Sequence, residues 1–101
     1  MTAMNIVHMR VKPGKEAEYI ALHRELDAAS LLGGRNFWVV KTGERSFCVV
    51  GEWESMDALV KARPVMIATL DKLRPLLEDL GGGRGLTEPY SGDVAFHKSF
   101  S

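Results

Sequence analysis

Residues Asn36 to Glu54 limit what this chain can fold into more than any other stretch. Phe37-Trp38-Val39-Val40-Lys41 and Ser46-Phe47-Cys48-Val49-Val50-Gly51-Glu52-Trp53-Glu54 flank the polar, glycine-containing segment Thr42-Gly43-Glu44-Arg45. Two β-rich runs about such a segment predict a hairpin. Aromatic and β-branched residues fill consecutive positions in both arms, so the pleat carries apolar side chains on both faces and both faces must be covered.

The rest of the chain offers the covers. Asn5-Ile6-Val7-His8-Met9-Arg10-Val11 alternates with strand period and stops at Lys12-Pro13-Gly14, which predicts a first strand. From Lys15 to Ala29 the residues Tyr19, Leu22, His23 and Leu26 fall at helical spacing, with Gly33-Gly34 as the stop, which predicts an amphipathic helix. Ser55 before Met56-Asp57-Ala58 is the start signal of a second helix. Pro64 predicts a kink in it, after which Val65 to Leu80 resumes helical period, with Pro75 near its end. Leu59, Val60, Met66, Ile67, Leu70, Leu73 and Leu77 form the expected buried stripe. Gly81-Gly82-Gly83-Arg84-Gly85 reads as loop; it lacks phosphate-binding spacing and follows a helix, so it is a connector. Asp93 to Phe100 is the expected last strand, with Val94, Phe96 and Phe100 on one side.

Composition excludes several function classes. The 101 residues fit one domain spanning 1–101. Thirteen basic side chains balance thirteen acidic ones, so no global field holds a polyanion, and nucleic acid is not an expected partner. The lone cysteine, Cys48, excludes an intrachain disulfide or cysteine metal cluster and suits a reducing cytoplasm. The N-terminus has no signal-peptide pattern, and no apolar run reaches the roughly 20 residues of a membrane span. A cytoplasmic protein without membrane contact is expected.

The order β-α-β-β-α-β is the ferredoxin-like split βαβ arrangement, an α+β fold with a four-stranded antiparallel sheet. Both crossover helices lie on one face of that sheet, because both share the right-handed sense. The other face is left bare, and a second copy packed sheet to sheet is the simplest cover, which predicts a homodimer.

Val11-Lys12-Pro13-Gly14-Lys15, Gly51-Glu52-Trp53-Glu54-Ser55 and Leu70-Asp71-Lys72-Leu73-Arg74-Pro75-Leu76-Leu77 together resemble the antibiotic biosynthesis monooxygenase family of the dimeric α+β barrel superfamily. The resemblance covers nearly the whole chain. It implies two ferredoxin-like sheets closing into a barrel. It also implies relationship to cofactor-independent oxygenases of aromatic polyketides, haem-degrading enzymes and quinol oxygenases. Trp53 matches the pocket tryptophan that ends the third strand in haem-degrading relatives, and Asn5 lies in the strand where those relatives carry a pocket asparagine. Their haem-ligating histidine on the second helix has no counterpart, since Val65 to Leu80 contains none, so neither haem nor any other cofactor is expected.

The candidate site residues each carry two readings. His23 is either a core histidine or a general base aimed between helix and sheet, where a low-dielectric cavity favours its neutral form. Trp53 is core or a stacking platform. Arg63, at the expected kink, is an ordinary surface cation or a contact to an anionic substrate. Tyr90, in the expected loop from Gly81 to Gly92, closes a site or packs on a partner. His8 and His97, on the first and last expected strands, make two nitrogens without a third ligand, so no metal site is expected. Cys48 has no activating neighbour in sequence. The expected function is a cofactor-independent monooxygenase of a small electron-rich aromatic or quinol, with His23 as base, Trp53 and Asn5 as binding groups, and Arg63 and Tyr90 at the substrate. The alternative is a non-catalytic dimer that binds a small hydrophobic molecule.

Overall fold

The computed structural model describes residues 1–25 and 31–100. Strand β1 spans Ala3–Val11, helix α1 Glu16–Arg24, β2 Gly34–Gly43, β3 Ser46–Trp53 and α2 Met56–Leu73. A 3₁₀ turn at Arg74–Leu76 leads to the two-residue β4, Leu77–Glu78, and β5 follows at Thr87–Asp93. All pairings are antiparallel, in the order β2-β3-β1, with β4 and β5 end to end along the free edge of β1. This is the ferredoxin-like α+β arrangement, with its fourth strand position shared between β4 and β5.

The expected last strand is displaced. Residues 94–100 belong to no regular element, and β5 occupies what the sequence presents as loop. Pro89 and Gly92 signal a turn, yet β5 pairs only with β1, and an edge strand tolerates a proline that cannot donate into the ladder. Tyr90 is therefore a strand residue rather than part of a loop. The second helix is also simpler than expected: α2 runs through Pro64 without a break. Pro64 and Val60, the residue whose carbonyl the proline cannot serve, both lie on the exposed side, where water can hydrate that carbonyl. The helix ends at Leu73, ahead of Pro75, so Leu77 joins the core from β4. Val60 and Ile67 are exposed, and Ala58 and Ala62 are buried in the stripe instead. Helix α1 is observed from Glu16 to Arg24; the expected extension to Ala29, with Leu26, lies outside the described residues. Ser55 is the helix cap the sequence signals, its Oγ accepting from the Ala58 N–H at 3.1 Å.

The register sorts the side chains by parity. Phe37, Val39 and Lys41 on β2 pair with Gly51, Val49 and Phe47 on β3, which in turn pair with Asn5, Val7 and Met9 on β1, and those with Ser91, Pro89 and Thr87 on β5. These odd-numbered positions face the helices, because Tyr19 of α1 packs with Met9 and Phe47, and Leu59 and Ala62 of α2 with Ala3 and Trp53. The even-numbered positions, including Ile6, Trp38, Val40, Val50 and Tyr90, form the other face. The core has two parts: one around Met9, Val11, Tyr19, Phe47, Leu73 and Leu77, and a smaller one around Ala3, Trp53, Leu59 and Ala62.

Arg45 pins the hairpin tip to α1, β1 and β4. It takes the left-handed conformation, at φ 59°, in the turn between β2 and β3. Its backbone N–H donates to Glu16 on α1 at 3.0 Å, and its guanidinium donates to the Val11 carbonyl at 3.1 Å and to Glu78 at 3.0 Å. Replacing Arg45 with alanine keeps the unfavourable φ and removes both guanidinium bonds, an expected cost of about 1–2 kcal/mol. At this chain length that lowers Tm by roughly 5–15 °C; calorimetry showing no shift would contradict the assigned role.

Candidate functional site

Between the two parts of the core lies a cavity of about 380 Å³, floored by β1, β2, β3 and β5 and roofed by α1 and α2. Its wall is mostly apolar, with Val7, Met9, Phe37, Val49, Met66 and Leu70 among the residues that form it. Asn5, His23, Trp53, Arg63 and Tyr90, the five candidates singled out from the sequence, all border it. Their parts differ.

Trp53 is buried and bounds the cavity with its indole, so the core and platform readings describe the same side chain. A buried indole N–H needs an acceptor. Asn5 supplies it: Trp53 Nε1 donates to Asn5 Oδ1 at 2.7 Å. Because the indole can only donate, this contact assigns the amide orientation and leaves Asn5 Nδ2 as a donor at the cavity. Asn5 faces Gly51 in the register. A Cβ on Gly51 would fall on Asn5 Oδ1 and within 2.9 Å of Trp53 Nε1, so the pair fits only over a glycine. Gly51 is not among the candidates the sequence offers, although a glycine inside a strand is itself the signal for a close approach.

His23 sits at the other end of the floor, over β2. Its ring meets Tyr19 edge-on at a centroid distance of 4.6 Å and lies 5.7 Å from Phe37. Both ring nitrogens are buried and neither has a hydrogen-bond partner among the described residues. Burial lowers its pKa to about 4, so the imidazole is neutral at pH 7 and presents one donor and one acceptor with nothing to satisfy them. The neighbouring Tyr19 hydroxyl is engaged elsewhere, donating to Met9 Sδ at 3.3 Å, and burial raises its pKa far above the usual phenol value. The phenol is no proton acceptor.

Arg63 stands on the exposed side of α2, where its Nη2 donates to Ser91 Oγ at 3.4 Å. Tyr90 borders the cavity from β5, but its register partner is Ile6 on the outer face and its side chain is 64% exposed. His8 and His97 are not brought together on paired strands: His8 is on β1 between Cys48 and Glu88, and His97 lies beyond β5. Among the described residues no three His, Cys, Asp or Glu side chains form a metal-ligating group. Among the same residues no helix is long and apolar enough to cross a membrane. The Gly81 to Gly85 stretch is a connector; Gly81, Gly82, Gly83 and Gly85 all take positive φ.

This architecture is found in known proteins. The family model of antibiotic biosynthesis monooxygenases matches residues 2–63, more than half of the chain, and the chain belongs to that family. No protein of curated function matches it. Among solved structures, a cofactor-independent oxygenase, SnoaB from Streptomyces nogalater, is similar at 16% identity, with 95% of each chain covered and a TM-score of 0.74. A candidate antibiotic biosynthesis monooxygenase from Chloroflexus aurantiacus is similar at 19% identity over all of both chains, with a TM-score of 0.71. Another from Caulobacter crescentus is similar at 20% identity over 94% of this chain and 91% of that one, with a TM-score of 0.74. At these identities the likeness is one of fold.

Gly51→Ala is expected to break the Asn5–Trp53 bond. Leaving a buried indole N–H unpaired costs about 1–3 kcal/mol, and the Trp53 indole N–H resonance moves towards the position of a free indole. A variant with unchanged Tm and an unmoved resonance would show that the site accommodates the methyl group.

Proposed function

We propose that this family member is a cofactor-independent monooxygenase that takes a small electron-rich aromatic or quinol into the cavity between sheet and helices. The observation that carries the proposal is His23, a neutral imidazole with two buried nitrogens that have no hydrogen-bond partner among the described residues, at an apolar cavity whose floor also holds the Asn5 amide donor and the Trp53 indole. In this reading Trp53 stacks on the substrate ring, Asn5 Nδ2 donates to a ring oxygen, Arg63 contacts the substrate at the mouth, and Tyr90 touches it from the rim.

The chemistry balances without a bound cofactor. For an anthrone-type CH₂ beside a carbonyl, His23 accepts the C–H proton and the electron pair spreads onto the oxygen that Asn5 contacts. The carbanion reduces O₂ and forms a C–O bond, and the peroxide takes the proton back from the imidazolium. Loss of water then converts the hydroperoxide to a second carbonyl. One oxygen atom stays in the product and the other leaves as water, with the substrate supplying every electron. The low pKa of free His23 makes it a weak base, and the anion forming beside it raises its proton affinity as transfer proceeds. That weakness also favours a second reading, in which the cavity binds the same class of molecule without consuming oxygen.

Oxygen uptake across a panel of anthrones and hydroquinones, corrected for autoxidation, separates the two. Turnover by the wild type that falls about 10²–10⁴-fold in His23→Ala, with the variant still folded by circular dichroism, is the expected result. Binding without uptake in the wild type would leave the ligand-binding reading.

We further propose that the even-numbered sheet face is covered by a second copy, which gives a homodimer. Ile6, Trp38 and Val40 lie together on that face and are 42%, 46% and 44% exposed, an apolar surface of the kind that marks an interface. Sedimentation is expected to give a dimer mass, and Trp38→Glu a monomer, since an unpaired charge in a dry interface costs several kcal/mol. A wild-type monomer at micromolar concentration would refute the proposal.

A further inference from the structure

The cavity wall has an uneven charge inventory. Among the described residues no carboxylate borders it, His23 is neutral at physiological pH, and the polar side chains Asn5, Thr69, Thr87 and Ser91 carry no charge. Arg63 is the one fixed charge on the wall, and among the described residues it has no acidic partner within ion-pair distance. Its single polar side-chain contact there is the Ser91 hydroxyl. An uncompensated guanidinium beside a low-dielectric wall attracts an anion, and its planar fork matches a carboxylate.

The register then fixes what else that anion must carry. Ser91 is the direct cross-strand partner of Asn5, and paired strands are about 4.8 Å apart. The backbones of Ser91 and Asn5 therefore stand one strand spacing apart, with both residues on the same face of the sheet. A ligand with an oxygen on Asn5 and a carboxylate on Arg63 and Ser91 spans these neighbouring strands. Given the reading of this cavity as a ligand site, we infer that its ligand is an aromatic carboxylate with a hydroxyl or carbonyl oxygen adjacent to the carboxylate, held by Arg63 and Ser91 at the mouth and by Asn5 inside. The apolar remainder of the cavity takes the ring system.

Isothermal titration with three naphthalene probes tests this. 1-Hydroxy-2-naphthoate has the two oxygens side by side, 6-hydroxy-2-naphthoate carries them at opposite ends, and 1-naphthol lacks the carboxylate. The wild type is expected to bind 1-hydroxy-2-naphthoate about tenfold more tightly than either of the others, the scale of one charge-assisted contact at a partly exposed site. Arg63→Gln, at an exposed position with an unchanged melting temperature, is expected to remove that preference and leave 1-naphthol affinity as it was. Lys61→Ala, an exposed cation on the same helix, is expected to keep it. Equal binding of 1-hydroxy-2-naphthoate and 1-naphthol, or a preference that survives Arg63→Gln, would overturn the inference while leaving the aromatic cavity standing. Equal binding of the two acids would overturn the placement of the second oxygen on Asn5. If no probe binds at millimolar concentration, both this inference and the ligand-site reading fall.

Discussion

A sheet that is apolar on both faces has to be covered, and the helices of this molecule cover one of them. The strands pair so that odd-numbered residues from β1, β2, β3 and β5 all point to the side where the helices lie. Two short crossovers can pack on that side only, since both have the same hand. They do not fill it. Tyr19, Phe47 and Leu73 close one end of the layer, while Trp53, Leu59 and Ala62 close the other, and the space left between them is the cavity.

The polar parts of the cavity follow from how its ends are built. At the tryptophan end, a large side chain with a single donor is buried against a strand and brings its acceptor, Asn5, from the neighbouring strand. The bond exists because Gly51 leaves the space for it. At the other end, α1 lays an edge-to-face pair, Tyr19 and His23, over Phe47 and Phe37. The phenol finds a thioether acceptor and the imidazole finds none among the described residues. An apolar layer with one satisfied pair and one unsatisfied ring is well suited to receive a planar molecule with polar edges.

The sequence made some of this legible and hid the rest for physical reasons. The hairpin, the Ser55 cap and the face of α1 that carries Tyr19 and His23 are local patterns, and they fold as their spacing implies. Which parity of the hairpin faces the helices cannot be read from Phe37 to Val40 or Phe47 to Val50, because both parities are apolar; the register with β1 decides it. The last strand was hidden for the opposite reason. Thr87 to Asp93 holds a proline and a glycine and reads as a turn, while the aromatic spacing of Phe96 and Phe100 imitates a strand that does not pair. Pro64 signals a kink, but a proline whose orphaned carbonyl faces water costs the helix less than one in the core. The Asn5–Trp53 bond joins residues 48 positions apart, and no local pattern announces such a contact.

The parity of the sheet also separates two kinds of inheritance. On β1, Asn5, Val7 and Met9 border the cavity, while their immediate neighbours Met4, Ile6 and His8 belong to the opposite surface, and the same alternation holds on every long strand. On β1, a substitution at an odd position alters the cavity side of the sheet and one at an even position alters the outer side. The lining of the cavity and the chemistry of the outer surface are thus encoded in interleaved positions of the same strands. Descendants of such a chain can reshape the one or the other by separate substitutions.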